Sequence, residues 1–287
     1  MTVVRVPAST ANLGPGFDAL GMALSVTAVL GVVDEATSDD DRARSVDRHH
    51  PATIAFEAAG GAGELWVRSP IPMGRGMGFS GAMRVGGAAL AVAHRTPRSG
   101  REMTSVLAEH DLVLAVAARL EGHADNAAAS LYGGVVATDG SRVVRVPTDL
   151  EPAVVLWIPA STTSTATSRT ALPDVVSFQD AVFNIGHTAL LVAALAAGDV
   201  SALRAATDDR LHQSIRLGAT PRSGDALAAG LAAGAWCGWL SGSGPTIAFL
   251  AEPGSGEDLA AHLPEDGQVK VVSLDRSGVV VDDGFGG

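Results

Sequence analysis

The chain has 287 residues, 47% of them hydrophobic and only 4% aromatic, so it can bury a sizeable core made mainly of small aliphatic side chains. Its formal net charge is −11 with no basic block, which argues against nucleic acid and anionic membrane as partners, because both attract a cationic footprint. Cys237 is the single cysteine, which rules out an intrachain disulfide and a cysteine zinc site; residues 1–8 have no signal-like apolar core and no unbroken run reaches ~18 apolar residues, so a soluble cytoplasmic protein is expected.

Residues 3–6 are β-branched and predict a short strand, followed by a turn-rich stretch through Phe17. Residues 21–33 are apolar with strand character. Residues 38–50 are the most charged and least periodic, which predicts a surface loop; 51–59 predict a helix and 65–69 a strand. That strand feeds the segment Pro70-Ile71-Pro72-Met73-Gly74-Arg75-Gly76-Met77-Gly78-Phe79-Ser80-Gly81-Ala82. Gly76 and Gly78 can take positive φ at little cost. Ser80 is expected to N-cap a helix over 81–94. A glycine turn opening onto a helix N-terminus presents unpaired N–H groups and the positive dipole end to an anion, most often phosphate, which points to the triphosphate site of an ATP-dependent enzyme.

Two other readings of this loop stand beside that one. Gly76-x-Gly78-x-x-Gly81 formally matches the dinucleotide fingerprint, but that motif follows a buried strand directly, and here Pro70 and Pro72 interrupt the approach. A glycine-rich hinge without a ligand is the plainest alternative. No Gly-x-x-x-x-Gly-Lys-Ser/Thr occurs, which excludes a Walker-type loop.

Residues 102–120 carry apolar side chains at helical spacing, and 135–137 and 142–146 flank Thr138-Asp139-Gly140-Ser141 as a hairpin. A second half begins near Leu150, giving lobes 1–149 and 150–287. It opens with a continuous apolar strand over 154–158 and a Ser/Thr-rich loop over 161–168. Helices are predicted over 177–197, 201–211 and 224–233, then strands near 236–240 and 246–250, a helix over 256–263 and a strand over 269–274. That order is a split β-α-β sandwich. Two α+β lobes with a ligand in the cleft between them are therefore expected.

Four segments complete the picture: Pro7-Ala8-Ser9-Thr10-Ala11-Asn12-Leu13-Gly14-Pro15-Gly16-Phe17-Asp18-Ala19-Leu20-Gly21, the glycine loop, Leu120-Glu121-Gly122-His123-Ala124-Asp125-Asn126, and Leu240-Ser241-Gly242-Ser243-Gly244-Pro245-Thr246. Together they resemble the GHMP small-molecule kinases, in the branch that phosphorylates homoserine. The likeness continues through Ser164 to Arg169 and Leu211 to Arg216. It implies the two-lobed GHMP fold, with an N-terminal lobe like ribosomal protein S5 domain 2 and a ferredoxin-like C-terminal lobe. It implies ATP with Mg²⁺ as cofactors, L-homoserine as acceptor and a homodimer.

By that resemblance, Pro72, Met73, Gly74, Arg75, Gly76, Met77, Gly78, Phe79, Ser80, Gly81 and Ala82 wrap the ATP phosphates. Asn12, Asp18, Asn126, Thr165, Arg169, Arg216 and Gly242 hold the amino acid. Asn126, Arg169 and Ser80 serve catalysis, and Ser80 with Glu121 holds the metal. Asp18 suits an ammonium as an acceptor-only carboxylate, and the arginine fork suits a carboxylate. Asn126 stands where other superfamily members place a catalytic aspartate, and an amide cannot act as a base, so catalysis would rest on positioning and charge. The chain departs from the family pattern at Phe79, where a serine is usual, and at Arg119, where a metal-binding glutamate is expected. His123, His187 and His212 show no metal-ligand spacing and are expected to be structural or supporting. A GHMP kinase for another hydroxylated substrate, and an impaired homologue that only binds nucleotide or amino acid, remain the competing functions.

Overall fold

A computed structural model describes residues 2–33, 43–95 and 109–282. Strand β1 (Val3–Ala11) pairs antiparallel with β2 (Leu20–Val32). β1 runs five residues past the β-branched stretch that predicted it. Pro7 sits at a register shift, where its missing N–H breaks no ladder bond. Ser9 and Thr10 are fully buried with their hydroxyls hydrogen-bonded, so polar letters here hide a core strand.

The long β2 is shared. Its later half pairs with β4 (Leu65–Arg68), which carries the short β3 (Arg44–Val46) at the edge. β3 lies inside the stretch expected to be loop; residues 38–42 of that stretch are outside the described residues, as are 102–108 of the predicted helix over 102–120. The first half of β2 pairs with β5 (Val135–Thr138), whose hairpin partner is β6 (Val143–Val146). The hairpin turn is built on Asp139, whose carboxylate accepts the Ser141 and Arg142 amides at 2.8 Å each.

Helices α1 (Pro51–Ala58), α2 (Phe79–Arg95), α3 (His110–Glu121) and α4 (Asp125–Tyr132) accompany this sheet. α2 is central, packed against α1, α3, α4 and β1, and that position explains its alanines and glycines. At Gly87 an added Cβ would sit 2.1 Å from the Ala52 carbonyl of α1, so only glycine allows this approach. α2 begins at Phe79, which places Ser80 inside the first turn rather than at the N-cap expected for it. Gly78, at φ 64°, supplies the first helical carbonyl to Ala82 instead.

The second sheet is antiparallel, in the order β10-β7-β9-β8, from β7 (Ala153–Pro159), β8 (Cys237–Leu240), β9 (Ile247–Ala251) and β10 (Gly267–Val272). This is the order of the expected split β-α-β sandwich. Val154, Leu156 and Ile158 face the large core shared with the first lobe, while Val155 and Trp157 face a smaller outer cluster. A strand buried on both sides reads as a continuous apolar run.

Between these strands lie α5 (Thr165–Thr170), α6 (Phe178–Ala197), α7 (Val200–Ala206), α8 (Gln213–Ala219), α9 (Pro221–Ala232) and α10 (Gly256–Ala260). Two expectations are corrected here. The Ser/Thr-rich loop over 161–168 is half helix, begun at Ser164, whose hydroxyl accepts the Thr167 amide. The helix predicted over 201–211 stops at Ala206. The Asp209 carboxylate accepts the amides of Leu211, His212 and Gln213, which turns the chain and starts α8, a helix the sequence pattern missed. The last described strand, β11 (Val280–Asp282), leaves the second lobe and pairs with β1.

The lobes are joined by a line of hydrogen bonds. Trp239 Nε1 donates to the Thr10 hydroxyl at 2.8 Å, Thr10 and Ser241 hydroxyls lie 2.8 Å apart, and Ser241 reaches the Gly76 carbonyl. A carbonyl only accepts and Ser241 has one proton, so Ser241 donates to Gly76 and takes the Thr10 proton.

Replacing Gly87 by Ala should destabilise the fold by about 1–3 kcal/mol, because the new methyl overpacks against α1 backbone. Urea unfolding measures it, and an unchanged midpoint would show that α1 and α2 separate at little cost.

Candidate active site

A cleft of about 330 Å³ lies between the lobes, floored by the glycine loop and the start of α2. Gly74, Gly76 and Gly78 all take positive φ. The Gly74 carbonyl accepts the Thr163 amide at 2.8 Å, Gly76 accepts Ser241, and Met77 accepts the Ser9 amide at 3.3 Å. In a trans peptide the N–H points opposite its carbonyl. The amides of Arg75, Met77 and Gly78 are therefore turned away from these protein partners, which is the arrangement of an anion-binding nest at a helix N-terminus. At Gly78 a Cβ would meet the Ser9 hydroxyl at 2.0 Å and Asn126 Oδ1 at 2.9 Å, so the loop could not lie this low with a side chain there. Arg75 reaches across the cleft to the Ala160 carbonyl at 2.9 Å.

Just inside α2, Ser80 donates to Glu121 Oε2 at 3.0 Å, and Arg84 pairs with the other Glu121 oxygen. Hydroxyl and carboxylate oxygens side by side under a phosphate loop are hard donors of the kind Mg²⁺ takes, so these residues fit the metal expected of them. Arg119, two residues earlier and so on the other side of α3, is exposed and does not line the cleft. Its replacement of an acidic residue therefore leaves Glu121 in place. Phe79 does line the cleft, with its ring edge-on to His50 at 5.9 Å.

At the other end, the turn after β1 holds Asn12 and Asp18, both with positive φ, which short polar side chains tolerate best. The Asn12 amide donates to the Gly242 carbonyl at 3.0 Å and its oxygen accepts the Asp18 amide at 3.1 Å, so this side chain shapes the turn it sits on. Asp18 and Arg169 form a bidentate pair at 2.7 and 2.8 Å. Hydrogen bonding to Asp18 raises the Arg169 pKa above its ordinary value. Arg216 is buried, donates to Gly242 at 3.1 Å and has no carboxylate partner among the described ion pairs. Burial, and then the like charge of Arg169, lowers its pKa. Both guanidinium groups lie over the Phe17 ring, at 5.5 and 5.1 Å.

His212 is fully buried, with Nε2 2.8 Å from the Gly14 carbonyl and Nδ1 3.3 Å from Arg216. Burial lowers its pKa, so it is neutral, carrying its proton on Nε2 and accepting from Arg216.

Asn126 is the second residue of α4. Its Oδ1 accepts from Ser9 at 2.9 Å, which leaves its NH₂ near Asp125 and the cleft. Asp125 is buried and holds His123 Nδ1 at 2.6 Å and the Asn126 amide at 2.8 Å. Ligand atoms of Asp18, His123 and Asp125 lie within 4.8 Å of one another. This forms an acidic focus that meets the arginines at Asp18.

The structure thus brings Asn12, Asp18, Asn126, Thr165, Arg169, Arg216 and Gly242 to one cleft with Pro72 through Ser80 and Glu121; Gly81 and Ala82 lie behind it, buried in α2. Phe17, Asp125, Thr163 and Ser243 also line it without having been given roles from sequence, and His123 faces the cleft rather than only supporting it. Phe17, Asp125 and Ser243 each adjoin a residue that was singled out.

Family models for the GHMP kinases match in both lobes: the N-terminal domain over residues 46–134 and the C-terminal domain over 191–269. With the two-lobed fold and the glycine-loop cleft, this places the chain in the GHMP kinases. Homoserine kinase of Gloeobacter violaceus is 40% identical over 86% of this chain and 86% of its own, and that of Caldanaerobacter subterraneus subsp. tengcongensis is 35% identical over 94% and 88%. The crystal structure of homoserine kinase from Cytophaga hutchinsonii superposes with a TM-score of 0.77 at 25% identity, covering 98% of this chain and 97% of that one. The chain belongs to the homoserine kinase family.

His123 generates a pH prediction. Burial opposes its charge, but the Asp125 hydrogen bond and the Asp125, Glu121 and Asp18 carboxylates outweigh burial and raise its pKa above 6.5. The charged contact should stabilise the fold fully below about pH 6.5 and lose that contribution as pH rises through the folded-state value. Histidine NMR should place the His123 midpoint above 6.5, and Asp125→Asn should lower it. A wild-type midpoint at or below 6.5 would contradict the assignment.

Proposed function

We propose that this chain transfers the γ-phosphoryl group of ATP to the side-chain hydroxyl of L-homoserine, in the cytoplasm, with small molecules as its substrates. One observation carries the reading: a glycine loop with outward-turned amides and a set of paired acidic and cationic side chains meet in one cleft. Asp18 and Arg169 pair with each other in the structure. A bound amino acid would separate them, its ammonium going to Asp18 and its carboxylate to Arg169 and Arg216. Arg216 is already desolvated and lacks a carboxylate, so a carboxylate ligand gains a strong hydrogen-bonded partner there.

The side-chain hydroxyl then points toward Asn126 and the glycine loop. Phosphoryl transfer needs an in-line approach and neutralised charge more than a base. The Asn126 NH₂ can orient the hydroxyl, while Asp125 is already engaged by His123 and the Asn126 amide. Loop amides and the α2 N-terminus receive the phosphate oxygens. Ser80 and Glu121 would hold Mg²⁺, which when bound neutralises phosphate charge. Arg84 pairs with Glu121 and holds it beside Ser80.

The direct test is ADP release with MgATP and L-homoserine, L-serine, L-threonine, mevalonate, shikimate or no acceptor. Release should be strong with L-homoserine alone; another preferred acceptor would overturn the substrate, and ATP binding without release would overturn the activity. Arg169→Ala removes a charge-assisted contact of ~1.5–3 kcal/mol, so KM for homoserine should rise by about 10- to 150-fold. Glu121→Gln should weaken Mn²⁺ binding measured by electron paramagnetic resonance with ADP present, and unchanged binding would remove Glu121 from the metal site.

A further inference from the structure

A second cavity, of about 420 Å³, adjoins the catalytic cleft, against the end of β7, α5 and the junction of α8 with α9. Thr163, Arg216 and Ser243 line both spaces. Helix α8 gives the catalytic cleft Arg216 alone, but it gives this cavity Ile215, Arg216 and Ala219. The chain has 31 acidic residues against 20 basic ones, yet among the described residues that line this cavity there is no Asp or Glu, and there are two arginines.

The two arginines differ. Arg222 is exposed and already answered, donating to Asp266 at 2.7 Å and to Asp225 at 3.2 Å. Arg216 is only 6% exposed. Its Nη1 donates to the Gly242 carbonyl at 3.1 Å and lies 3.3 Å from His212 Nδ1, whereas its Nε is buried with no hydrogen-bond partner. Nε is the guanidinium nitrogen nearest α8, the helix that walls the second cavity. A buried donor left unpaired is costly, and a charged oxygen that reaches this edge of the fork forms one of the strong hydrogen bonds. The hydroxyl protons of Thr220 and Ser223 are spent on the Arg216 and Pro245 carbonyls at 3.1 and 2.7 Å, so both hydroxyls can only accept from a ligand. Ala171, Ile215 and Ala219 supply apolar wall.

We propose that this cavity is a second small-molecule site, for a short aliphatic carboxylate without an ammonium and with hydroxy acids preferred, and that its occupant weakens ligand binding in the catalytic cleft through Arg216. The carboxylate meets Arg216, the hydroxyl donates to Thr220 or Ser223, and the alkyl chain covers Ile215 and Ala219. An amino acid would bury its ammonium with no acid to receive it, which separates this cavity from the catalytic cleft, where Asp18 stands. Inorganic phosphate would satisfy Arg216 but gain nothing from the apolar wall. Two carboxylates on one guanidinium each reduce the attraction left for the other. Because the two spaces are distinct, that antagonism is reciprocal and saturable. The antagonism rests on the amino-acid reading of the catalytic cleft; the site itself does not.

Calorimetric titration of the full chain with 2-hydroxybutanoate should give a Kd of about 0.1–3 mM, with butanoate, L-2-aminobutanoate and inorganic phosphate weaker in this cavity. Ala219→Trp, at the exposed end of α8, should fill the cavity and abolish 2-hydroxybutanoate binding with an unchanged circular dichroism spectrum and unchanged L-homoserine binding. Ala171→Trp, at the end of α5, should do the same, so the result does not hang on one helix. In the wild type, 2-hydroxybutanoate should raise the Kd for L-homoserine by roughly 5- to 10-fold and then level off. No binding up to about 20 mM, binding that survives both tryptophan variants, or phosphate binding as tightly as 2-hydroxybutanoate would overturn the site. A homoserine Kd that climbs without limit would place the hydroxy acid in the catalytic cleft and overturn it too. If L-homoserine does not bind at all, the substrate reading fails and the antagonism with it, while the tryptophan variants still decide the site.

Discussion

The buried hydroxyl of Thr10 carries much of this architecture. It accepts a hydrogen bond from the Trp239 indole N–H of the second sheet and donates one to Ser241, whose hydroxyl donates to the Gly76 carbonyl. Trp239, Thr10 and Ser241 are nearly or fully buried, where an unpaired polar group costs about 1–3 kcal/mol, so breaking one link exposes the others to that cost. Because it ends on the glycine loop, the relative placement of the lobes and the orientation of the loop amides are one property. The turn after β1 is anchored beside it, through the Gly242 amide on the Ala11 carbonyl and Asn12 on the Gly242 carbonyl.

Charge in the cleft gathers around Phe17. Arg169 and Arg216 lie over its ring, Asp18 pairs with Arg169, and the ligand atoms of Asp18, Asp125 and His123 lie close together. A neutral, buried His212 sits behind Arg216 and accepts a hydrogen bond from it without adding charge. On the proposed reading the arrangement would discriminate by chemistry: an alcohol without an ammonium and a carboxylate would leave the Asp18–Arg169 pair intact and gain little from either charge. Selectivity of this kind arises from polar groups that only the right ligand satisfies.

Much of this was legible in the sequence because the informative residues are clustered. Glycines at alternate positions announced the positive-φ loop that floors the cleft, and the motif residues Asn12, Asp18, Asn126, Arg169 and Arg216 meet there although they are dispersed over some 200 residues. What escaped was set by partners far away in the chain. Ser9 and Thr10 read as turn residues until β2 and Trp239 bury them. Ser80 has the chemistry of an N-cap, but Gly78 takes the capping position and frees the hydroxyl for Glu121. Asp209 ends one helix and begins another through three backbone amides, a competition that helical periodicity does not register. Arg119 looked disruptive because its letter replaces an acid, yet its side chain faces solvent.

The pairing of Val3 with Asp282 has a consequence for biogenesis. The outer edge of the first strand stays open until residue 282 has left the ribosome, so the first lobe cannot finish its sheet cotranslationally ahead of the second. Contacts of such sequence separation are slow to form. Until they do, the nascent chain exposes an apolar strand edge of the kind that recruits other strands. Folding yield should therefore be governed less by the strength of either core than by how quickly the last strand finds the first.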